Sequence, residues 1–149
     1  MKKLILMAAV SISLLTMAGR ETMDFNENWS FARFGAMPDG TVKAEPEGME
    51  KTAFDDAGWR VLNVPHDWGI EGPFRAELEN RTGKLPWAGI GWYRKTFEVP
   101  ASDAAKKVFI DFDGAMSDTK VWLNGEYVGE WPYGYSSFRL DLSEHWKSG

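Results

Sequence analysis

The residues best suited to chemistry lie between Pro65 and Gly91. Asp67, Trp68, Glu71, Glu77, Glu79, Asn80, Arg81 and Trp87 all fall within that stretch. Sugar rings present C–H faces that pack on indole, and their hydroxyls pair with carboxylates, amides and guanidinium groups. This mixture of side chains therefore suits a sugar. A compact domain rarely keeps a structureless loop beyond about 12–15 residues unless the loop binds something or is disordered. The aromatic content argues against disorder, so the stretch is expected to be a binding loop. For Trp68 and Trp87, sugar contact and simple packing stand as equal alternatives. Trp29, Trp59, Trp92 and Trp122 fall in strand-like runs and are expected in the core.

Other chemistries find little support. His66-Asp67 invites a base-and-orienter reading, but neighbours on an extended segment point to opposite sides. His66 is instead expected to brace the loop through hydrogen bonds. Only two histidines exist, at positions 66 and 145, and they lack metal-ligand spacing. Asp111 and Asp113 could bind calcium, although such a pair is more often a solvated strand face. Asn28-Trp29-Ser30 and Asn80-Arg81-Thr82 match the glycosylation pattern, which matters only in a eukaryotic secretory host. Nucleophile-elbow and phosphate-cradling motifs are absent, and no spacing pairs two carboxylates as glycoside hydrolysis requires. The residues thus offer a sugar-binding surface without a catalytic centre, and they imply no metal or other cofactor.

Composition sets the setting. Lys2 and Lys3 precede an apolar run from Leu4 to Ala18, and the small pair Ala18-Gly19 offers a cleavage site. The run is short of the roughly 20 apolar residues of a membrane span. Residues 1–19 are therefore expected to be a signal peptide, and 20–149 an exported domain, periplasmic or secreted, with no membrane association after cleavage. The chain has no cysteine, so its stability must come from an ordinary core. A net charge of -5 disfavours nucleic acid as a partner.

The elements that must hold the loop read as strands. Alternation at Trp29–Phe34 gives one, Trp59–Val64 a second stopped by Pro65, and Gly91–Val99 a third stopped by Pro100. Val108–Asp113 and Phe138–Leu142 alternate likewise. Asn124-Gly125 between apolar flanks predicts a type I′ hairpin turn, in which both central residues need φ > 0. Thr52–Ala57 and Ser143–Lys147 are expected as short helical turns, and Gly35–Gly48 as a flexible surface loop. Short strands punctuated by Gly and Pro suggest an antiparallel sandwich or jelly roll. The turn-like end at Lys147-Ser148-Gly149, with no closing strand, suggests a truncated fragment with an open sheet edge.

Five motifs then appear in order: Pro65-His66-Asp67-Trp68, Gly89-Ile90-Gly91-Trp92-Tyr93-Arg94-Lys95, Phe112-Asp113-Gly114, Val121-Trp122-Leu123-Asn124-Gly125 and Gly134-Tyr135-Ser136-Ser137-Phe138. Together they resemble the N-terminal sugar-binding domain of glycoside hydrolase family 2, the β-galactosidase type. The resemblance runs from about Phe25 to Trp146. It implies an all-β, jelly-roll-like antiparallel β-sandwich of the galactose-binding type, truncated at its C-terminus. The catalytic (β/α)₈ barrel, which carries both glutamates of the retaining mechanism, lies outside this chain. The catalytic residues would then be none of those here. Asp67, Trp68, Glu79, Asn80, Arg81 and Trp87 would help position a carbohydrate substrate. The remaining domains of a parent enzyme would be the protein partner, and the parent is a candidate homo-oligomer. Ala115 stands where the family often has valine. The alternative is a stand-alone carbohydrate-binding module without catalysis.

Overall fold

Eight short strands, none buried along its whole length, are found among the described residues. A computed structural model describes residues 19–37, 39–74, 76–77, 89–103 and 105–146. The strands are β1 (Trp29–Ala36), β2 (Val42–Lys43), β3 (Arg60–Leu62), β4 (Ile90–Arg94), β5 (Phe109–Phe112), β6 (Thr119–Leu123), β7 (Glu126–Trp131) and β8 (Phe138–Asp141). Every pairing is antiparallel. The protein is all-β, and the described residues contain no α-helix.

β1 organises the first sheet. Ser30 and Phe31 pair with both β3 and β4, so those two strands take opposite edges of β1. Because side chains alternate along a strand, β1 has two working faces. Ala32 and Phe34 point to one, where they bury with Met49 against Phe54, Trp59 and Trp92. Phe31 and Arg33 point to the other, beneath the Pro65 segment. On the first face Trp92 of β4 stacks on Trp122 of β6, with centroids 5.3 Å apart and planes 21° from parallel. That contact joins the first sheet to the β6–β7 hairpin, and offset aromatic pairs of this kind contribute about 0.5–1.5 kcal/mol beyond their burial. β5 and β8 pair through Phe112 opposite Phe138, rings stacked at 4.6 Å. Trp131 of β7 stacks on Phe138 in turn.

The hairpin turn is as expected. Asn124 and Gly125 both have positive φ, 53° and 83°, and Leu123 pairs with Glu126 across them. A bulge between Val121 and Trp122 shifts the register further along.

Several boundaries differ from expectation. The third strand ends at Arg94 because its pairing with β1 ends there, opposite Ser30. Lys95 turns instead to the N-terminal segment, where its ammonium donates to the Phe25 and Glu27 carbonyls and sits over the Phe25 ring. The second strand is shorter than Trp59–Val64, since Val64 N donates to Asn26 O outside the ladder. Gly35–Gly48 is not all loop. Gly35 and Ala36 pair with Lys43 and Val42, and the turn between is held by the Asp39 carboxylate, which accepts from Thr41 N and Oγ1.

The two expected helical segments amount to isolated turns among the described residues, and neither extends into a helix. Around Thr52–Ala57, Asp55 caps its own backbone at Ala57 N and Asp56 pairs with Arg94, while Phe54 turns into the core. Asp side chains compete with helical backbone bonds in this way. Ser143 to His145 form a single turn closed on the Leu142 carbonyl. The one 3₁₀ turn among the described residues, Ala101–Asp103, follows Pro100.

Candidate functional site

The second face of β1 carries the site. Phe31 lies opposite Tyr93 of β4 and Arg60 of β3, and Arg33 lies opposite Gly91. Directly opposed residues on antiparallel strands share a face, so Arg60, Phe31, Tyr93 and the bare backbone of Gly91 form one platform. The segment after Pro65 lies on it. His66 packs edge-on to Phe31 with centroids at 4.6 Å, and Trp68 stacks on the same ring at 5.9 Å and 23°. Gly91 is what admits the indole, because a Cβ there would fall 2.4 Å from Trp68 Cζ3.

A chain of polar contacts pins this segment. The two terminal guanidinium nitrogens of Arg60, Nη1 and Nη2, donate to Glu71, at 2.8 and 2.7 Å. His66 Nε2 lies 3.0 Å from Glu71 Oε1, and His66 Nδ1 lies 2.8 Å from the Tyr93 hydroxyl. An ionised carboxylate can only accept. Nε2 therefore carries a proton towards Glu71, and in the neutral tautomer that does so Nδ1 is left to accept from Tyr93. The His66 side chain is only 8% exposed, so both its ring nitrogens are satisfied within the protein. Burial, then the charges of Asp67 and Glu71, push the Tyr93 phenol far above its ordinary range, so it keeps its proton. Tyr93 and His66 thus donate in sequence towards Glu71, whose carboxylate also accepts from Arg60 on its other side in an ion pair. The geometry is that of a brace, as expected for His66.

Glu71 is the hub. Hydrogen bonds from Arg60, opposed in part by burial and assisted by His66, hold its carboxyl at about 2 rather than 4.5. A carboxylate with a depressed folded-state pKa stabilises fully above its unfolded pKa, and that contribution disappears as pH falls through the folded value. Glu71→Gln is therefore expected to be less stable than the parent sequence at neutral pH. The gap should narrow as pH drops from about 4.5 towards 2. Urea midpoints across that range test this, and a gap independent of pH would refute it.

Of the six expected substrate contacts, two fall among the described residues. Asp67 is exposed, and its Oδ1 accepts from Gly69 N at 2.7 Å, closing a tight turn. Trp68 is half-buried between Phe31 and Gly91, with the Arg33 guanidinium 5.9 Å from its ring. Glu79, Asn80, Arg81 and Trp87 lie outside the described residues, as do the signal segment 1–18 and the end at 147–149. Asp111, weighed as a calcium ligand, is bound by Arg139 and Arg20. Among the described residues no cluster of three acidic, His or Cys side chains is placed to hold a metal.

Arg60 and Tyr93 were not singled out from sequence. Each sits in a strand run that reads as core, and only the registers Phe31↔Arg60 and Phe31↔Tyr93 bring them together. The nearest signal was Glu71 itself, an acid five residues after a histidine in an aromatic loop.

A β-sandwich with an aromatic, polar-braced segment on one sheet face is the class of domain that the five motifs imply. The family of glycosyl hydrolases family 2, sugar binding domain, matches residues 23–149. This chain belongs to that family. It is 45% identical over 130 residues to a β-galactosidase of Bacteroides ovatus, covering 86% of this chain and 14% of that protein. It is 30% identical over 138 residues to a β-glucuronidase of Formosa agariphila, covering 91% and 13%. Among solved structures, a β-glycosidase from Bacteroides vulgatus superposes with a TM-score of 0.73 at 39% identity, covering 87% of this chain and 16% of the other. The chain thus spans about one seventh of the length of these relatives.

Proposed function

We propose that this chain is the N-terminal, substrate-positioning domain of an exported retaining glycoside hydrolase, a β-galactosidase of a Gram-negative bacterium. The observation that carries the reading is the 45% identity to a β-galactosidase across 130 residues of the domain. In this reading the remaining domains of the parent supply both catalytic carboxylates, since retention needs a pair about 5–5.5 Å apart. The platform of Phe31, Tyr93, Arg60 and Gly91 supports one wall of the substrate pocket. The loop residues Glu79, Asn80, Arg81 and Trp87 meet the sugar, while Asp67 and Trp68 hold the base of that loop. The basic and apolar opening of the chain supports export.

A second specificity has its own support. A further Formosa agariphila protein, provisionally named a β-glucuronidase, is 39% identical over 146 residues. Assay of the complete parent on paired aryl β-galactoside and aryl β-glucuronide substrates separates the two. The expected result is hydrolysis of the galactoside with retained anomeric configuration. Preference for the glucuronide would move the assignment to the second specificity, and cleavage of neither would refute the enzyme reading.

A further inference from the structure

One end of the sandwich is uncharged. Two loops form it, residues 114–117 between β5 and β6 and residues 132–137 between β7 and β8. Neither carries a charged side chain, in a chain that is 26% charged. They hold Met116, Tyr133 and Tyr135, which are 51%, 66% and 88% exposed. The loops pack closely through glycine, since a Cβ on Gly134 would fall 2.4 Å from Met116 Sδ. The base beneath them is stiff. Phe112, Phe138 and Trp131 stack in a row, Tyr133 meets Trp131 edge-on at 5.7 Å, and Trp131 donates its indole N–H to Ser136 Oγ. Asp118 N donates to the Pro132 carbonyl at 3.3 Å and ties the two loops together. Exposed tyrosines on such a base give contact area at little cost in side-chain entropy.

Composition points to a protein surface as the partner. Interface centres are enriched in aromatic residues and Met and depleted in Lys, Asp and Glu. The rim is acidic: Asp113 and Asp118 flank the first loop and are exposed, while Lys120 lies opposite Glu130 and offsets it. Two copies of this chain meeting here would set acidic rim against acidic rim, which is repulsive. The complementary surface has an apolar centre and a basic rim. Placement narrows the partner further. At the β6–β7 turn a Cβ on Gly125 would lie 3.8 Å from Lys51 Cα, and the Lys51 carbonyl accepts from Arg94, the last residue of β4. The other end of the hairpin, which carries both loops, therefore lies towards Ile90, the first residue of β4. There the 65–91 stretch, read above as facing the remaining domains of the parent, re-enters the sheet.

We propose that this end of the sandwich docks on the remaining domains of the parent, against an apolar surface rimmed by Lys or Arg. The inference rests on the reading of the chain as one domain of a larger glycoside hydrolase. The test oxidises methionine in the complete parent with dilute hydrogen peroxide. Met23, 67% exposed, is the internal reference. Trypsin releases the two residues in separate peptides, 21–33 and 108–120, each with one methionine. Sulfoxide formation follows exposure of the thioether, so Met116 is expected to react about tenfold more slowly than Met23. Tyr135→Asp places a carboxylate in the contact and should bring Met116 to within about twofold of Met23, whereas Tyr135→Phe should leave it protected. Equal rates for the two methionines in the parent sequence would overturn the proposal, and that measure stands even if the Asp variant fails to fold. Continued protection of Met116 in a folded Tyr135→Asp parent would overturn it as well. So would protection that disappears on dilution to the parent's monomer, which would assign the surface to a second copy. Hydrolysis of aryl glycosides is scored separately. Its loss would remove the enzyme reading and leave the protection result standing.

Discussion

Phe34→Ala is expected to cost about 3–5 kcal/mol of folding stability, the usual range for deleting a buried phenyl ring. Phe34 is 3% exposed. It anchors the cluster of Ala32 and Met49, lies 6.0 Å from the Trp59 ring, and has the Lys43 ammonium 4.5 Å over its own face. The buried apolar set among the described residues is short: Phe31, Ala32, Phe34, Met49, Phe138 and Leu142. Domains are stable by only about 5–15 kcal/mol, so losing one of these six rings or chains removes a large fraction of the total. Val61→Ala supplies the contrast. Val61 lies in the same sheet but is 64% exposed, and its truncation should stay within about 0.5 kcal/mol. Urea unfolding followed by tryptophan fluorescence measures both. Equal shifts for the two variants would mean that the cluster around Phe34 does not carry the sheet.

Gly91→Ala is the second substitution with a large expected effect. Most glycine positions tolerate a methyl group when their φ is ordinary, and Gly91 is not among the glycines with positive φ. The obstacle is steric, because the new Cβ would lie 2.4 Å from Trp68 Cζ3 and 2.9 Å from Cη2. Trp68 cannot slide freely, being stacked on Phe31 and anchored through the turn that Asp67 closes. Overpacking of this kind costs about 1–3 kcal/mol. Gly58→Ala is the control, with nothing within 4 Å of the added carbon, and should be near neutral. The functional consequence follows from position: Trp68 and Gly91 touch across the two ends of the loop, so pushing them apart moves both. In the complete parent the expected signature is a raised KM with the fold retained. An unchanged KM at reduced stability would separate the Trp68 contact from substrate positioning.

Much of the architecture was legible because it is written locally. The alternation of Phe31 and Arg33 with Ala32 and Phe34 marks a strand with two faces, and β1 has both. Asn124-Gly125 demands positive φ twice, and no neighbouring element needs to be known to read the hairpin from it. The half-buried, packed positions of Trp92 and Trp122 accord with their places in strand runs. Failures came where local propensity met tertiary demand. Thr52–Ala57 has a helical composition, yet Phe54 is drawn to Trp59 and Asp56 to Arg94, which a helix could not satisfy together. Val42–Lys43 is too short to carry a pattern and becomes a strand only because β1 offers an edge.

By itself the sequence determined the all-β class, the hairpin, the family and the loop as the place to look. Each rests on residue type and short spacing, which survive without knowledge of pairing. The tertiary structure alone decided which residues hold the loop. Arg60, His66, Glu71, Tyr93 and Gly91 are separated by up to 33 positions in the chain and meet only through the registers of β3 and β4 on β1. A register is a property of two strands at once, set by how well both faces bury. Neither strand states it alone.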